Sequence, residues 1–282
     1  GGRGGGGKGE DVGQEKESMY ARVLMETVFT FYEVSNRPVT DGLFKVLPLL
    51  LELAVENESE DAEIDREHDI RDDASTIVHQ LMACIPLNGE RTTRIVEMIE
   101  MIIKDSTLAT QRASALKYLH VIVSSNIYLF DRLGAPMRAR LHAAVTTAMR
   151  DKEMPVRREA GNCLCAFLHI GYLELTTDLE THFRSLAFAS SSTDKQAGCL
   201  GFAAIVRAFP DQFTVKVVPA LRELCRLSSG AAKDVLVQHW ATNALRDFRA
   251  SHRDEWTTDA EAVIGADLMF LIENELSPSY YV

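Results

Sequence analysis

Apolar residues recur at three- and four-residue intervals from Met19 onward. Met19, Val23, Leu24, Thr27, Val28 and Phe31 fall on one helical face, and Leu43, Val46, Leu47, Leu50 and Leu51 fall on another. Segments of roughly 15 residues with this spacing follow one another along the chain. Strict apolar–polar alternation, the mark of a half-buried strand, is sustained nowhere in the sequence. The pattern predicts an all-α protein. Within it, Met98, Ile99, Met101, Ile102 and Ile103 read as core packing rather than as a cofactor box.

The helices read as pairs, and the second member of each pair carries a recurring start. Asp69-Ile70-Arg71-Asp72-Asp73-Ala74 aligns with Thr110-Gln111-Arg112-Ala113 and with Met154-Pro155-Val156-Arg157-Arg158-Glu159-Ala160. Ser192-Thr193-Asp194-Lys195-Gln196-Ala197 and Ala232-Lys233-Asp234-Val235 continue the series. Spacings of about 37 to 47 residues match HEAT and armadillo units. A small residue early in the second helix lets the partner helix approach closely. The charged residues before it start the helix and can bridge to the next repeat. The clearest unit is 151–170, where Pro155 suits the first turn and Val156, Ala160, Cys163, Leu164 and Phe167 form a core stripe. One pair cannot bury its apolar face alone, so residues 19–276 are expected to stack as an α-solenoid.

Three stretches stand outside this pattern. Residues 1–18 are Gly-rich and charged; a G-x-G-x-x-G-like spacing there follows no strand and opens no helix, so the stretch reads as a flexible linker. Between Glu56 and Asp73 lie ten Asp/Glu against Arg66 and Arg71. That block lacks the central glycine of a calcium loop and reads as a solvated acidic loop, a surface for basic partners. At the other end, the apolar run Leu268, Met269, Phe270, Leu271 and Ile272 leads into Ser277-Pro278-Ser279-Tyr280-Tyr281-Val282. Proline stops the helix, and beyond it come two large amphipathic rings and an α-carboxylate. So short a segment cannot offset its own ordering entropy, but it suits the pocket of another protein, because capture of a C-terminal carboxylate is a recurring recognition mode.

Composition narrows the function classes. The 282 residues carry a net charge of −11, which argues against a phosphate-backbone binder and so against direct DNA binding. Five cysteines (Cys84, Cys163, Cys165, Cys199 and Cys225) sit within helical patterns and make an odd count, which suits a reducing compartment. No stretch is apolar enough for a membrane span, and no secretory signal opens the chain. The first residue is glycine rather than methionine, so the chain is expected to be the C-terminal portion of something longer.

Catalytic patterns do not assemble. The eight histidines are scattered, and H-E-x-x-H, C-x-x-C and G-x-S-x-G do not occur. Cys163 and Cys165 point in different directions on a helix, and both read as core thiols. His169 and His182 flank a turn and read as ordinary polar surface. The chain is read as a non-enzyme, with no catalytic residue, no metal site and no cofactor of its own.

Residues 194–282 resemble the C-terminal segment of the large, single-chain, ATP-independent proteasome activators of the bleomycin-sensitivity type. The matching elements begin with Gly198-Cys199-Leu200-Gly201-Phe202-Ala203-Ala204-Ile205-Val206, Phe209-Pro210 and Val217-Val218-Pro219-Ala220-Leu221. Phe248-Arg249-Ala250-Ser251-His252-Arg253-Asp254-Glu255-Trp256 resembles the family's Phe-Arg-x-Thr-His-x-Asp-x-Trp segment, and the Ser277–Val282 tail completes the series. Val156-Arg157-Arg158-Glu159-Ala160 also fits, whereas residues 19–150 match only as HEAT-like helices. Phe-Pro-Asp stands for the family's Pro-Tyr, Ser251 for Thr, and Val282 for Ala.

The resemblance implies a HEAT-repeat dome on the proteasome core particle, in the nucleus and cytoplasm, acting in ubiquitin-independent proteolysis and DNA repair. It implies a tail of the form hydrophobic–tyrosine–any residue inserted between subunits of the alpha-subunit ring. In that arrangement the Val282 carboxylate pairs with a pocket lysine, Tyr281 hydrogen-bonds to help displace the gate, and Tyr280 packs apolarly. Recognition of acetylated histones and binding of inositol phosphates are further implied for the family, on no particular residue of this chain. The Phe248–Trp256 aromatics read as a lock on the last helical pair. One rival is a HEAT scaffold ending in a PDZ ligand, since Tyr280-x-Val282 fits the hydrophobic–x–hydrophobic class. Another is a phosphatase-type regulatory solenoid, which needs no such terminus.

Overall fold

Local signals fix where the helices start. Asn88, Thr176, Ser191 and Asp234 each stand just before a helix and accept a hydrogen bond from a backbone amide of its first turn. Pro155 and Pro219 occupy first-turn positions, where no amide donor is needed. The computed structural model describes residues 41–54, 78, 87–210, 214–253, 256 and 258–276, and among these the regular elements are all helical. The face expected over residues 19–31, the linker 1–18 and the acidic block 56–73 lie outside the described residues.

The chain divides into two compact units, residues 1–125 and 126–282. The first contains α1 (Asp41–Leu53), α2 (Gly89–Asp105) and α3 (Ala109–Ser125). Leu47, Leu50 and Leu51 of α1 are fully buried, as their spacing predicts, while Val46 is half-buried. Gln111 Nε2 donates to the Pro48 carbonyl at 2.9 Å and so ties α3 to α1. The stripe in α2 is only partly core. Ile99, Ile102 and Ile103 are buried, but Met98 is half-buried and Met101 is 55% exposed. Residue 101 lies two positions from both Ile99 and Ile103, which turns it away from the buried face.

The second unit runs α4 (Ile127–Arg132), α5 (Gly134–Ala148), α6 (Met154–His169), α7 (Thr177–Ala187), α8 (Ser192–Arg207), α9 (Val218–Ser228), α10 (Val235–Ser251), α11 (Thr258–Ile264) and α12 (Ala266–Leu276). α5 packs on α6, α7 on α8, and α9 on α10, as the pairing predicts. The second members, α6, α8 and α10, lie side by side, so α8 is enclosed by α6, α7, α9 and α10. The predicted stripe of α6 holds throughout: Val156, Ala160, Cys163, Leu164 and Phe167 are fully buried.

Bonds between successive pairs repeat the sequence period. Arg157 donates to Gln196, Arg184 to Glu223 and Arg207 to Asp247, across separations of 39, 39 and 40 residues. Arg112 and Arg157, aligned in sequence, also make the same local bond. Each guanidinium donates at 2.8 Å to a carbonyl six residues upstream, on Ser106 and Asp151 respectively. One aligned start differs from its expected role. Ala232 lies in the turn before α10 rather than in the helix, beside Lys233, whose φ is +53°.

Asp234 supplies the start of α10 instead. Its Oδ1 accepts from the Leu236 and Val237 amides, and its Oδ2 accepts from the Ser192 hydroxyl at 2.5 Å. Burial opposes its charge, but these three hydrogen bonds prevail and hold its carboxyl below the ordinary value. Asp234→Ala is therefore expected to destabilise the second unit by about 1–2 kcal/mol. A depressed folded pKa gives stability that is present at neutral pH and disappears as pH falls through it. Wild type and variant are thus expected to converge in urea-unfolding midpoint at strongly acidic pH; an equal gap at neutral and acidic pH would refute the charged cap.

Candidate functional site

The run Gly198–Val206 proves to be the interior of α8. Gly198, Cys199, Gly201, Phe202, Ala203, Ala204, Ile205 and Val206 are all buried. A Cβ added at Gly198 would lie 2.3 Å from the Ala187 nitrogen and 2.6 Å from the Phe183 carbonyl oxygen, both backbone atoms of α7. One at Gly201 would lie 2.3 Å from the Phe183 ring. The glycines thus let α8 meet α7 backbone to backbone at Gly198 and backbone to ring at Gly201. Ala197, the small residue that the sequence aligns at this helix start, adjoins Gly198 and is itself fully buried.

Downstream, the Phe248–Trp256 segment joins the end of α10 to α12. Phe248 is buried against the rings of His252 and Trp256, at centroid distances of 4.4 and 6.1 Å. The Trp256 indole N–H donates to Glu273 Oε1 at 3.1 Å. α12 follows a turn at Gly265, whose φ of +84° favours glycine, and buries Leu268 and Ile272 where it packs on α9 and α10. Phe270 and Leu271 face outward, 68% and 46% exposed. α12 is therefore held through Leu268, Ile272 and Glu273, within one turn of its last residue, Leu276. Tyr280, Tyr281 and Val282 lie outside the described residues.

The remaining candidate groups fall into place around this frame. Cys163, Cys199 and Cys225 are buried, and burial pushes their thiols up, Cys199 and Cys225 to about 12. At neutral pH these are inert thiols. Cys165 differs from its expected role as a core thiol. It is half-buried and borders a groove of about 330 Å³ between α6, α8 and α10, together with Arg158, Arg207, His239 and Trp240. Two positions along a helix from buried Cys163, it must point elsewhere. His169 is exposed, and its Nδ1 lies 2.9 Å from the Ala208 carbonyl, another bond between successive pairs. Arg138, His142 and Tyr172, which no motif singles out, converge on a second cavity in the same unit.

Comparison with known proteins places these features. Residues 192–282 match the family described as Proteasome activator complex subunit 4-like, C-terminal. The chain is 24% identical to Proteasome activator complex subunit 4A of Danio rerio and 26% identical to subunit 4B of that organism, over 95% and 96% of its length. Against Proteasome activator complex subunit 4 of Homo sapiens it is 22% identical over 96%. The chain spans about 15% of the length of these relatives. The matched region contains both glycines of the α7–α8 contact, the aromatic lock and the tyrosine-bearing end. Residues 192–282 accordingly match the C-terminal family of proteasome activator complex subunit 4, and the chain as a whole is similar to proteins of that name.

Proposed function

We propose that this chain is the docking end of a proteasome activator. Its tail, Tyr280-Tyr281-Val282, enters a pocket of the core particle's alpha-subunit ring and promotes gate opening for ATP- and ubiquitin-independent degradation. The observation that carries this reading is the family match over 192–282, which runs through the tail to the last residue. The anchoring of α12 through Leu268, Ile272 and Glu273 supports it, since a tail launched from an anchored helix loses less freedom on docking. In this reading the Val282 carboxylate pairs with a lysine, the Tyr281 hydroxyl hydrogen-bonds at the gate, and Tyr280 packs apolarly. The chain regulates a peptidase and is not itself one. A nuclear and cytoplasmic location, contact with acetylated histones and inositol-phosphate binding elsewhere in the activator belong to the same proposal.

Magnitudes set what the tail contributes. Burying one tyrosine removes about 150–250 Å² from water, or roughly 4–6 kcal/mol at 25 cal/mol per Å². Ordering each tail residue costs about 1–2 kcal/mol. The difference is small, so the tail positions and opens while the helical body adds avidity.

The test uses the full-length activator with core particles and a fluorogenic peptide. Deleting Tyr281 and Val282, or Tyr281→Ala alone, is expected to abolish stimulated hydrolysis. Unchanged stimulation by either variant overturns the tail's role. Retained binding of Tyr281→Ala to a PDZ domain, which reads Tyr280 and Val282 only, would favour the scaffold alternative.

A further inference from the structure

A cavity of about 360 Å³ opens between the α5 side of the second unit and the segment that leads into α7. Arg138, His142, Tyr172, Glu174 and Leu179 line it. Three of these present buried polar atoms with no protein partner: Arg138 Nε, His142 Nε2 and the Tyr172 hydroxyl. A buried donor or acceptor left unmade costs about 1–3 kcal/mol, so three around one cavity are a heavy load for a merely structural feature.

Tyr172 carries the most weight. It is 3% exposed, its ring clamped edge-on by Phe130 and Phe167 at 6.1 and 5.5 Å and covered by the Arg138 guanidinium at 5.8 Å. Two aromatic edges and a guanidinium over the ring are contacts that phenylalanine would make as well, yet the residue is tyrosine. Burial raises its phenol to about 12, so the hydroxyl keeps its proton and can donate. Arg138 Nε–H is a second donor. On His142, burial, with the charge of nearby His182 second, lowers the imidazole below its ordinary value, so it is neutral at pH 7 and offers an acceptor nitrogen. Glu174, exposed at the rim, adds an acceptor carboxylate.

Charge selects among ligands that match two donors and two acceptors. The Arg138 guanidinium already donates to Asp131, and Glu174 leaves the surroundings with no spare positive charge. A multiply charged anion would be repelled there. A ligand that carries both signs would be paired at each end. A volume of about 360 Å³ lies at the lower end of the 300–1,000 Å³ typical of small-molecule sites.

We propose that this cavity binds a small zwitterion of the α-amino-acid class. Its carboxylate accepts from Arg138 Nε–H and the Tyr172 hydroxyl, and its ammonium donates to Glu174 and to His142 Nε2. The site lies upstream of residues 192–282, so it stands independently of the docking tail.

The test screens the whole chain against the common α-amino acids by saturation-transfer NMR and thermal shift. The N-acetyl and methyl-ester forms of any binder, and inorganic phosphate, serve as controls. At least one free amino acid is expected to bind, with acetylation or esterification each weakening it by about tenfold or more. Tyr172→Phe is expected to lose the same factor while keeping or raising the thermal midpoint of the free protein, since it only removes an unmade hydrogen bond. Glu174→Gln, at an exposed position, is expected to weaken binding without affecting folding. Absence of any binder, binding unaffected by Tyr172→Phe and Glu174→Gln, or phosphate binding as tightly as the amino acid would each overturn the proposal.

Discussion

Gly198→Ala is expected to destabilise the second unit by about 3 kcal/mol. In an exposed helix interior the same change would stabilise by about 1 kcal/mol, because alanine loses less backbone freedom than glycine. Here the new methyl would stand 2.3 Å from the Ala187 nitrogen and 2.6 Å from its Cα. Those are backbone atoms of α7, so no rotamer change relieves the overlap and the two helices must separate. Separation would also disturb fully buried Phe183 and Phe202, whose rings meet at 6.4 Å. Gly161→Ala supplies the contrast. Its added Cβ would sit 3.6 Å from Leu200 Cβ, an ordinary contact, so only the propensity gain of up to about 1 kcal/mol should remain. Urea unfolding followed by circular dichroism measures both. Two changes of the same sign would show that the close approach of α7 and α8 does not control stability. Hydrogen exchange should place the loss of protection for Gly198→Ala on α7 and α8.

Arg157→Ala is expected to cost a similar amount, about 3 kcal/mol, for a different reason. Arg157 is 6% exposed, and its guanidinium donates to the Asp151 carbonyl at 2.8 Å, the Lys152 carbonyl at 2.9 Å and Gln196 Oε1 at 2.5 Å. Truncation leaves two carbonyls and a buried amide oxygen with fewer donors, in a place water does not reach easily. Hydrogen bonds that involve a charged group contribute about 1.5–3 kcal/mol each, and part of that returns as the relief of burying the charge. Arg157→Lys should not rescue the protein, since an ammonium cannot reach three acceptors in a fork geometry. Gln196→Ala removes that bond together with the Gln196 Nε2 donation to Ser192 Oγ, so a double-mutant cycle is needed to isolate the share of the Arg157–Gln196 pair. Additive effects of Arg157→Ala and Gln196→Ala would mean that the bridge between pairs contributes nothing.

Much of this fold is legible in the sequence because its signals are local. Core stripes repeat every three to four residues, and Asn88, Thr176, Ser191 and Asp234 cap the helices they precede, so each helix announces its start and its inward face within one or two turns. The repeat period is legible for a related reason: the aligned starts at residues 110, 154 and 192 fall in the first turns of α3, α6 and α8. The stripe in α2 was over-read at Met101 because a run of apolar residues hides which of them exceeds the arc that a neighbour can cover. Ala232 was misplaced because alanine suits a turn and a helix alike, whereas the Asp234 cap, two residues on, is specific. The end Tyr280-Tyr281-Val282 is legible as a motif alone, in residue types and order.

The amino-acid sequence by itself determined the helices, their pairing and the kinship of the C-terminal third, since periodicity, caps and motif order need no knowledge of neighbours. Only the tertiary structure decided that Gly198 and Gly201 are contact points with α7, and that Arg157 reaches Gln196. It also decided that Arg138, His142 and Tyr172 share one cavity. These residues belong to separate chain segments, and the physical reason is common to all three cases. Steric overlap and hydrogen bonding act over a few ångströms in space, whatever the distance along the chain, so they exist only once packing has brought the segments together.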